Sequence, residues 1–140
     1  MGGINVSRWI GGGVVAALVI YLIEWFMGAK VWMSAVSARL SELGLSTAMT
    51  PRTFLAYGII CLLVGLVLIF FYALARTRLG PGPRTAVIVS IAMFLGGYLP
   101  GLIDYNIIGL YSSDLLVKWG VQGVLETIVA GVLGAWVYKE

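Results

Sequence analysis

The stretch LLVKWGVQGVLETIVAGVLGAWVY, Leu115 to Tyr138, decides the fold. At about 1.5 Å rise per residue it is long enough, as a helix, to cross a hydrocarbon core of about 30 Å. Gly120, Gly123, Gly131 and Gly134 lie in it, together with one carboxylate, Glu126. An ionisable group at that depth is costly unless it faces the bundle interior or a wet cavity. Three similar runs precede it, at about residues 9–28, 51–75 and 84–103, and the first holds a second carboxylate, Glu24. The pattern predicts an all-α membrane fold: a bundle of four transmembrane helices, with one amphipathic interfacial helix at about residues 30–43 between spans one and two. Residues 1–140 are read as a single integral membrane domain.

Composition points the same way. The chain is 61% hydrophobic and 11% charged, with a mean hydropathy of +1.02, whereas soluble domains are about 25% charged. The nine Lys and Arg residues are scattered over span ends and loops, so no nucleic-acid partner is expected. There is no His, which removes the commonest general base, metal ligand and haem ligand. The single Cys61 has no partner for an intrachain disulfide and reads as a small packing residue. Without His there is no Ser/His, Cys/His or HExxH arrangement. A non-enzymatic chain with no cofactor and no metal is expected. Val36-Ser37-Ala38 resembles a leader cleavage site, but it lies well past the first run, which reads as an uncleaved span. Gly2 follows Met1, yet Val6 stands where myristoylation wants Ser or Thr.

In chain order, Arg8 and Trp9 mark an interface at the start of span one. Gly13, Ala17, Tyr21, Glu24 and Gly28 share one face of that span, and small residues there allow close helix approach. Trp32, Val36, Leu40 and Leu43 make the apolar stripe of the amphipathic helix, which either lies on the membrane or caps the bundle, and Gly44 can end it. Thr50-Pro51 is an N-cap followed by proline at the first helical position. Gly58, Cys61, Gly65, Leu68 and Tyr72 share a face of span two. Gly80-Pro81-Gly82-Pro83 is a tight, non-helical connection. Ser90, Gly97, Gly101 and Asp104 line one side of span three, and Pro100 should kink it. Ser113 or Asp114 can cap span four. The glycines of span four read as packing positions and can also mark a homodimer seam. Trp9, Trp25, Trp32, Trp119, Trp136 and Tyr138 read as interface anchors.

Four spans put both termini on one side. Five basic residues, Arg8, Arg76, Arg78, Arg84 and Lys139, fall there, against four, Lys30, Arg39, Arg52 and Lys118, on the other. The dense cluster Arg76, Arg78 and Arg84 sits in a short loop, where the positive-inside rule has most weight. Both termini are therefore placed in the cytoplasm, with the chain in the inner membrane. The near-equal counts are also compatible with dual topology. The same cluster is a candidate for anionic-lipid binding.

This orientation gathers the carboxylates. Glu24 falls roughly 6 Å and Glu126 roughly 10 Å below the outer surface, with Asp104 at the outer end of span three. Lys118, Gln122 and Glu126 form a polar stripe, and Tyr21, Tyr57, Tyr98, Tyr105 and Asn106 fall near the same level. The candidate site is Glu126, Glu24, Asp104, Gln122 and Tyr21, an outward-facing pocket for a proton, a cation or a small cationic ligand. In the plainer reading Glu24 snorkels to the surface, and Glu126 pairs with Lys118 or hydrogen-bonds Gln122 or a tyrosine. The candidate packing residues are Gly13, Ala17, Gly58, Gly65, Gly97, Gly120, Gly123, Gly131 and Gly134.

The run Glu24-Trp25-Phe26-Met27-Gly28-Ala29-Lys30-Val31-Trp32-Met33 resembles an uncharacterised family of small four-helix bacterial membrane proteins. There an aromatic-Gly-x-x-x-Trp turn links the first span to a surface helix, and a glycine-rich span ends the chain. That resemblance implies the fold and no activity. The chain is also similar to small multidrug-resistance transporters in its four spans, its acid in span one and its slight charge bias. It departs from them in the far position of that acid, the second acid in span four and the long first loop. The first expectation for function is a scaffold or complex subunit, acting alone, as a homo-oligomer or in a larger membrane complex. The second is a proton- or cation-coupled carrier using Glu126 and Glu24.

Overall fold

The computed structural model describes residues 4–46 and 50–139. All regular structure among them is helical. Four continuous helical stretches are long and apolar enough to cross a membrane: Val6–Glu42, Pro51–Leu79, Pro83–Ile107 and Ser113–Val137.

The first stretch is one helical rod. Helix α1 (Val6–Met27) is capped by Asn5, whose side chain accepts from the Arg8 N–H at 3.1 Å. A π-helical turn, Gly28–Trp32, carries it directly into α2 (Met33–Glu42). The expected break between the first span and the amphipathic helix is therefore absent. Gly28 remains right-handed helical, so it does not terminate the helix. Trp32, Val36 and Leu40 are half-buried as a stripe, while Leu43 is exposed. Gly44 ends α2 at φ 70°, with Leu45 N–H donating back to the Leu40 carbonyl at 2.9 Å. That six-to-one bond is the left-handed glycine stop the sequence called for. Arg39 ties α2 over the neighbouring loop, donating to the carbonyls of Leu110 at 2.7 Å and Gly109 at 3.0 Å.

Helix α3 (Pro51–Leu79) starts as its sequence requires, with the Thr50 hydroxyl accepting from Thr53 N–H at 3.2 Å. It continues past Ala75 because nothing before Gly80, at φ 85°, obliges it to stop. The Gly-Pro-Gly-Pro turn is held by Tyr72, whose hydroxyl accepts from Gly82 N–H, and by Thr85, whose hydroxyl donates to the Gly80 carbonyl. Helix α4 (Pro83–Met93) passes through a second π-helical turn, Phe94–Tyr98, into α5 (Leu99–Ile107). Pro100 falls in the first turn of α5, where its missing N–H is tolerated. The wide turn takes up the disruption that the sequence assigned to a kink. Helix α6 (Ser113–Val137) is capped by Ser112, one residue earlier than expected, because only Ser112 has the extended backbone that lets its hydroxyl reach Leu115 N–H.

Packing is tightest in the half of the bundle that holds the termini. The core cluster comprises Ala16, Ile20, Cys61, Leu68, Ile69, Tyr72, Ala73, Ala86, Val89, Ala130, Ala135 and Tyr138. Small residues set its spacing. A Cβ built on Gly65 would lie 2.8 Å from Ala17 Cβ, and one built on Gly12 2.6 Å from the Gly134 carbonyl oxygen. The chain ends meet: Asn5 N–H donates to the Tyr138 hydroxyl at 3.2 Å, and Arg8 donates to the Lys139 carbonyl. The opposite half is splayed. Among the described residues, the α5 backbone comes close to α6 but to neither α1 nor α3.

Candidate functional site

The far, splayed half holds the two carboxylates of the spans. Glu126 is 7% exposed, buried on the same side of α6 as Gly123, Ala130 and Gly134. Burial of an ionisable group inside a span requires a partner. Here Gln122, one turn earlier, donates from Nε2 to Glu126 Oε2 at 3.3 Å. Gln122 is itself fixed, because its Oε1 accepts the Trp32 indole N–H at 2.6 Å. Trp32 ends the first π-helical turn. The wide turn shifts the register between α1 and α2, and the shift brings that indole to α6.

Glu24 of α1 is half-buried and lies within electrostatic reach of Glu126. Cys61 of α3 and Tyr98 of the second π-helical turn lie within reach of both carboxylates. The ring of Tyr98 lies against α6 where Gly123 leaves room, since a Cβ built there would sit 2.6 Å from Tyr98 Cε1. All four spanning stretches thus contribute a side chain to one level, and both π-helical turns border it. Such turns are rare and gather at functional sites.

The other residues singled out by sequence fall in different places. Tyr21 is half-buried against the core on the α3 side, where Gly58 would meet its ring at 3.9 Å. Asp104 is exposed on α5. Lys118 pairs outward with Asp114 at 2.6 Å, so of the partners expected for Glu126 it is Gln122 that bonds it and not Lys118. Asn106 donates to the Ser113 hydroxyl at 2.8 Å, bracing the α5–α6 turn. Tyr105, Tyr111 and Trp119 form an edge-to-face aromatic row at that rim. Burial first, and then the nearby Tyr105 and Tyr57, push the Tyr111 hydroxyl above its ordinary pKa, with Arg39 acting the other way.

The packing glycines divide as well. Gly13, Gly65, Gly123, Gly131 and Gly134 sit where a Cβ would collide with a neighbouring helix. Gly120 has ordinary room at 3.5 Å from Leu102 Cδ1. Gly97 faces open space, as Gly101 does, because the π-helical turn rotates them off the face that holds Ser90. Ser90 remains fully buried, its hydroxyl against Gly131 and, among the described residues, without a hydrogen-bond partner. The interface aromatics also divide. Trp25 and Trp136 are exposed, but Trp9 donates to the Leu66 carbonyl at 2.7 Å and Tyr138 is only 2% exposed. Both of the latter act as ties inside the bundle.

Sequence reasoning places Tyr98 near the level of the two acids and reads Cys61 as a packing residue, and Cys61 is buried in the core cluster. It misses Trp32 as the partner of Gln122, because Trp32 reads there only as an interface anchor and a member of the apolar stripe. Among the described residues, no group of three or more His, Cys, Asp or Glu could hold a metal ion. No protein-family model, no curated protein and no solved structure matches the chain.

Proposed function

We propose that this chain is a small non-enzymatic integral membrane protein that takes up a proton or a small cation at the Glu24–Glu126 pair, as a carrier would. The observation that supports this reading most is the hydrogen-bonded series Trp32–Gln122–Glu126, set within reach of Glu24 on a different helix. Two carboxylates in a low-dielectric site interact strongly, so binding a proton or cation at one is coupled to the other. The α5 backbone comes close to neither α1 nor α3 at this end, and access to the pair from the far surface is what this reading requires. The natural location is the inner membrane with both termini cytoplasmic. The dense cluster Arg76, Arg78 and Arg84 about the short turn after α3 supports that orientation, because the positive-inside rule weighs Lys and Arg in short loops.

A scaffold or complex subunit, alone or as a homo-oligomer, is the second reading, favoured by the open glycine face at Gly97 and Gly101. The two readings separate in sealed vesicles of purified protein with a pH dye inside. The carrier moves protons when a gradient of a small cation is imposed, and Glu126→Gln lowers that movement to the level of empty vesicles. Wild-type vesicles as tight as empty ones, across small inorganic and organic cations, would remove the carrier and leave the scaffold.

A further inference from the structure

Helix α2 reaches the bundle through side chains. Among the described residues its backbone comes close to no element except the π-helical turn before it. A gap of about 410 Å³ lies between Ala35 and Ala38 of α2 and Ser112 and Leu115 at the start of α6. Arg39 reaches past it to the carbonyls of Gly109 and Leu110. Trp32 makes a second tie, to Gln122. The π-helical turn at the root of α2 is the kind of place where helices bend, and Gly28 in it has open space around it.

The Trp32 tie ends on the acidic site. An indole N–H can only donate, so Gln122 turns its oxygen to Trp32 and its amide N–H to Glu126. Both bonds therefore run toward Glu126 Oε2. Negative charge on that carboxylate strengthens the nearer bond directly and the farther one by polarising the amide between them. A proton or a cation that neutralises the charge weakens both. Among the described residues, the titratable groups within reach of Glu126 are Glu24 on α1, Cys61 on α3 and Tyr98 on the second π-helical turn. On α4 and α5, Arg84 belongs to the terminal end, Asp104 is exposed and Tyr105 stacks at the rim. None of the groups within reach is a cation, so the charge on Glu126 depends on what the site takes up.

We infer, resting on the reading of the Glu24–Glu126 pair as a site that loads, that α2 is a latch on the far end of the bundle. It is closed while Glu126 carries its charge and is released when a proton or a small cation neutralises that charge. Gln122 is the coupling residue and Trp32 the catch. By linkage, freeing α2 favours loading by the same factor as loading frees α2.

The test is the distance between spin labels at Ser41→Cys on α2 and Val129→Cys on α6, both exposed positions. It is read by pulsed electron resonance on the full-length protein in a Cys61→Ala background. One short distance is expected at alkaline pH. Glu126→Gln keeps an acceptor oxygen but loses the charge, and should raise the ratio of long to short distances about fivefold. Acidifying the labelled protein should do the same. In Trp32→Phe the ratio should be high throughout and no longer respond to pH. Arg39→Gln cuts the other tie, so it should lengthen the distance and keep the pH response. Labels at Leu18→Cys and Leu74→Cys in the terminal half should not move, which separates release from unfolding. A single short distance in Glu126→Gln and in acid, while Arg39→Gln lengthens it, would overturn the inference. So would a Trp32→Phe protein that still responds to pH. The expected distances in a protein whose vesicles stay tight would remove the carrier and keep the latch. Transport with a fixed distance would remove the latch alone.

Discussion

At the scale of single residues, glycine has opposite meanings within one chain. Gly65 lies where α1 and α3 touch backbone to backbone, and its Cβ would press on the Gly13 carbonyl and on Ala17 N at 2.5 Å. Backbone cannot swing aside as a flexible side chain can. Gly65→Ala is therefore expected to cost about 1–3 kcal/mol, and Gly97→Ala to stay within about 0.5 kcal/mol of wild type. Unfolding in mixed micelles compares the two directly. Equal effects would mean that the seam is not close-packed at Gly65. Both residues carry the same signal in the sequence, a small residue at helical spacing in an apolar run. What separates them is the rotation made by the π-helical turn in which Gly97 itself lies.

That rotation belongs to the scale of elements. The four spans could be read because twenty or so apolar residues in a row have no other stable use. The start of α3 could be read because Thr50-Pro51 is a local chemical signal that needs no tertiary context. The π-helical turns could not, since one extra residue in a helical turn leaves the local pattern of apolar residues almost unchanged. Pro100 signalled a disturbance without saying whether a kink or a wide turn would absorb it. The consequence is measurable. Leu102 is buried on α6, with its Cδ1 3.5 Å from where a Cβ of Gly120 would stand. In a Cys61→Ala background, Leu102→Cys and Gly120→Cys should join through a short thiol cross-linker. Deleting Gly96 should restore a plain α-helix, turn α5 by about 100° and abolish the cross-link. A cross-link that survives the deletion would show that α5 docks without the wide turn.

On the scale of the whole molecule, the bundle has two unlike ends. The terminal half is closed by small residues and by the ties among Asn5, Trp9, Tyr72 and Tyr138. The far half is held chiefly by Arg39 over the α5–α6 turn and by Trp32 to Gln122. A small membrane protein built only to fill space would gain from closing both halves, because helix association in lipid rests on packing. The far half instead places two carboxylates at one level, where their charge is costly. The sequence located both acids but could not bring them together, since helix order around the bundle depends on long-range contacts.

The most direct measurement of the account is the carboxyl infrared difference spectrum of the purified protein, recorded with and without an added small cation. Glu126→Gln and Glu24→Gln assign the bands. A carboxyl band is expected that vanishes in Glu126→Gln, shifts when the cation is added, and is perturbed by Glu24→Gln. A Glu126 band indifferent to every added cation and to Glu24→Gln would contradict it, and would make Gln122–Glu126 a buried structural hydrogen bond.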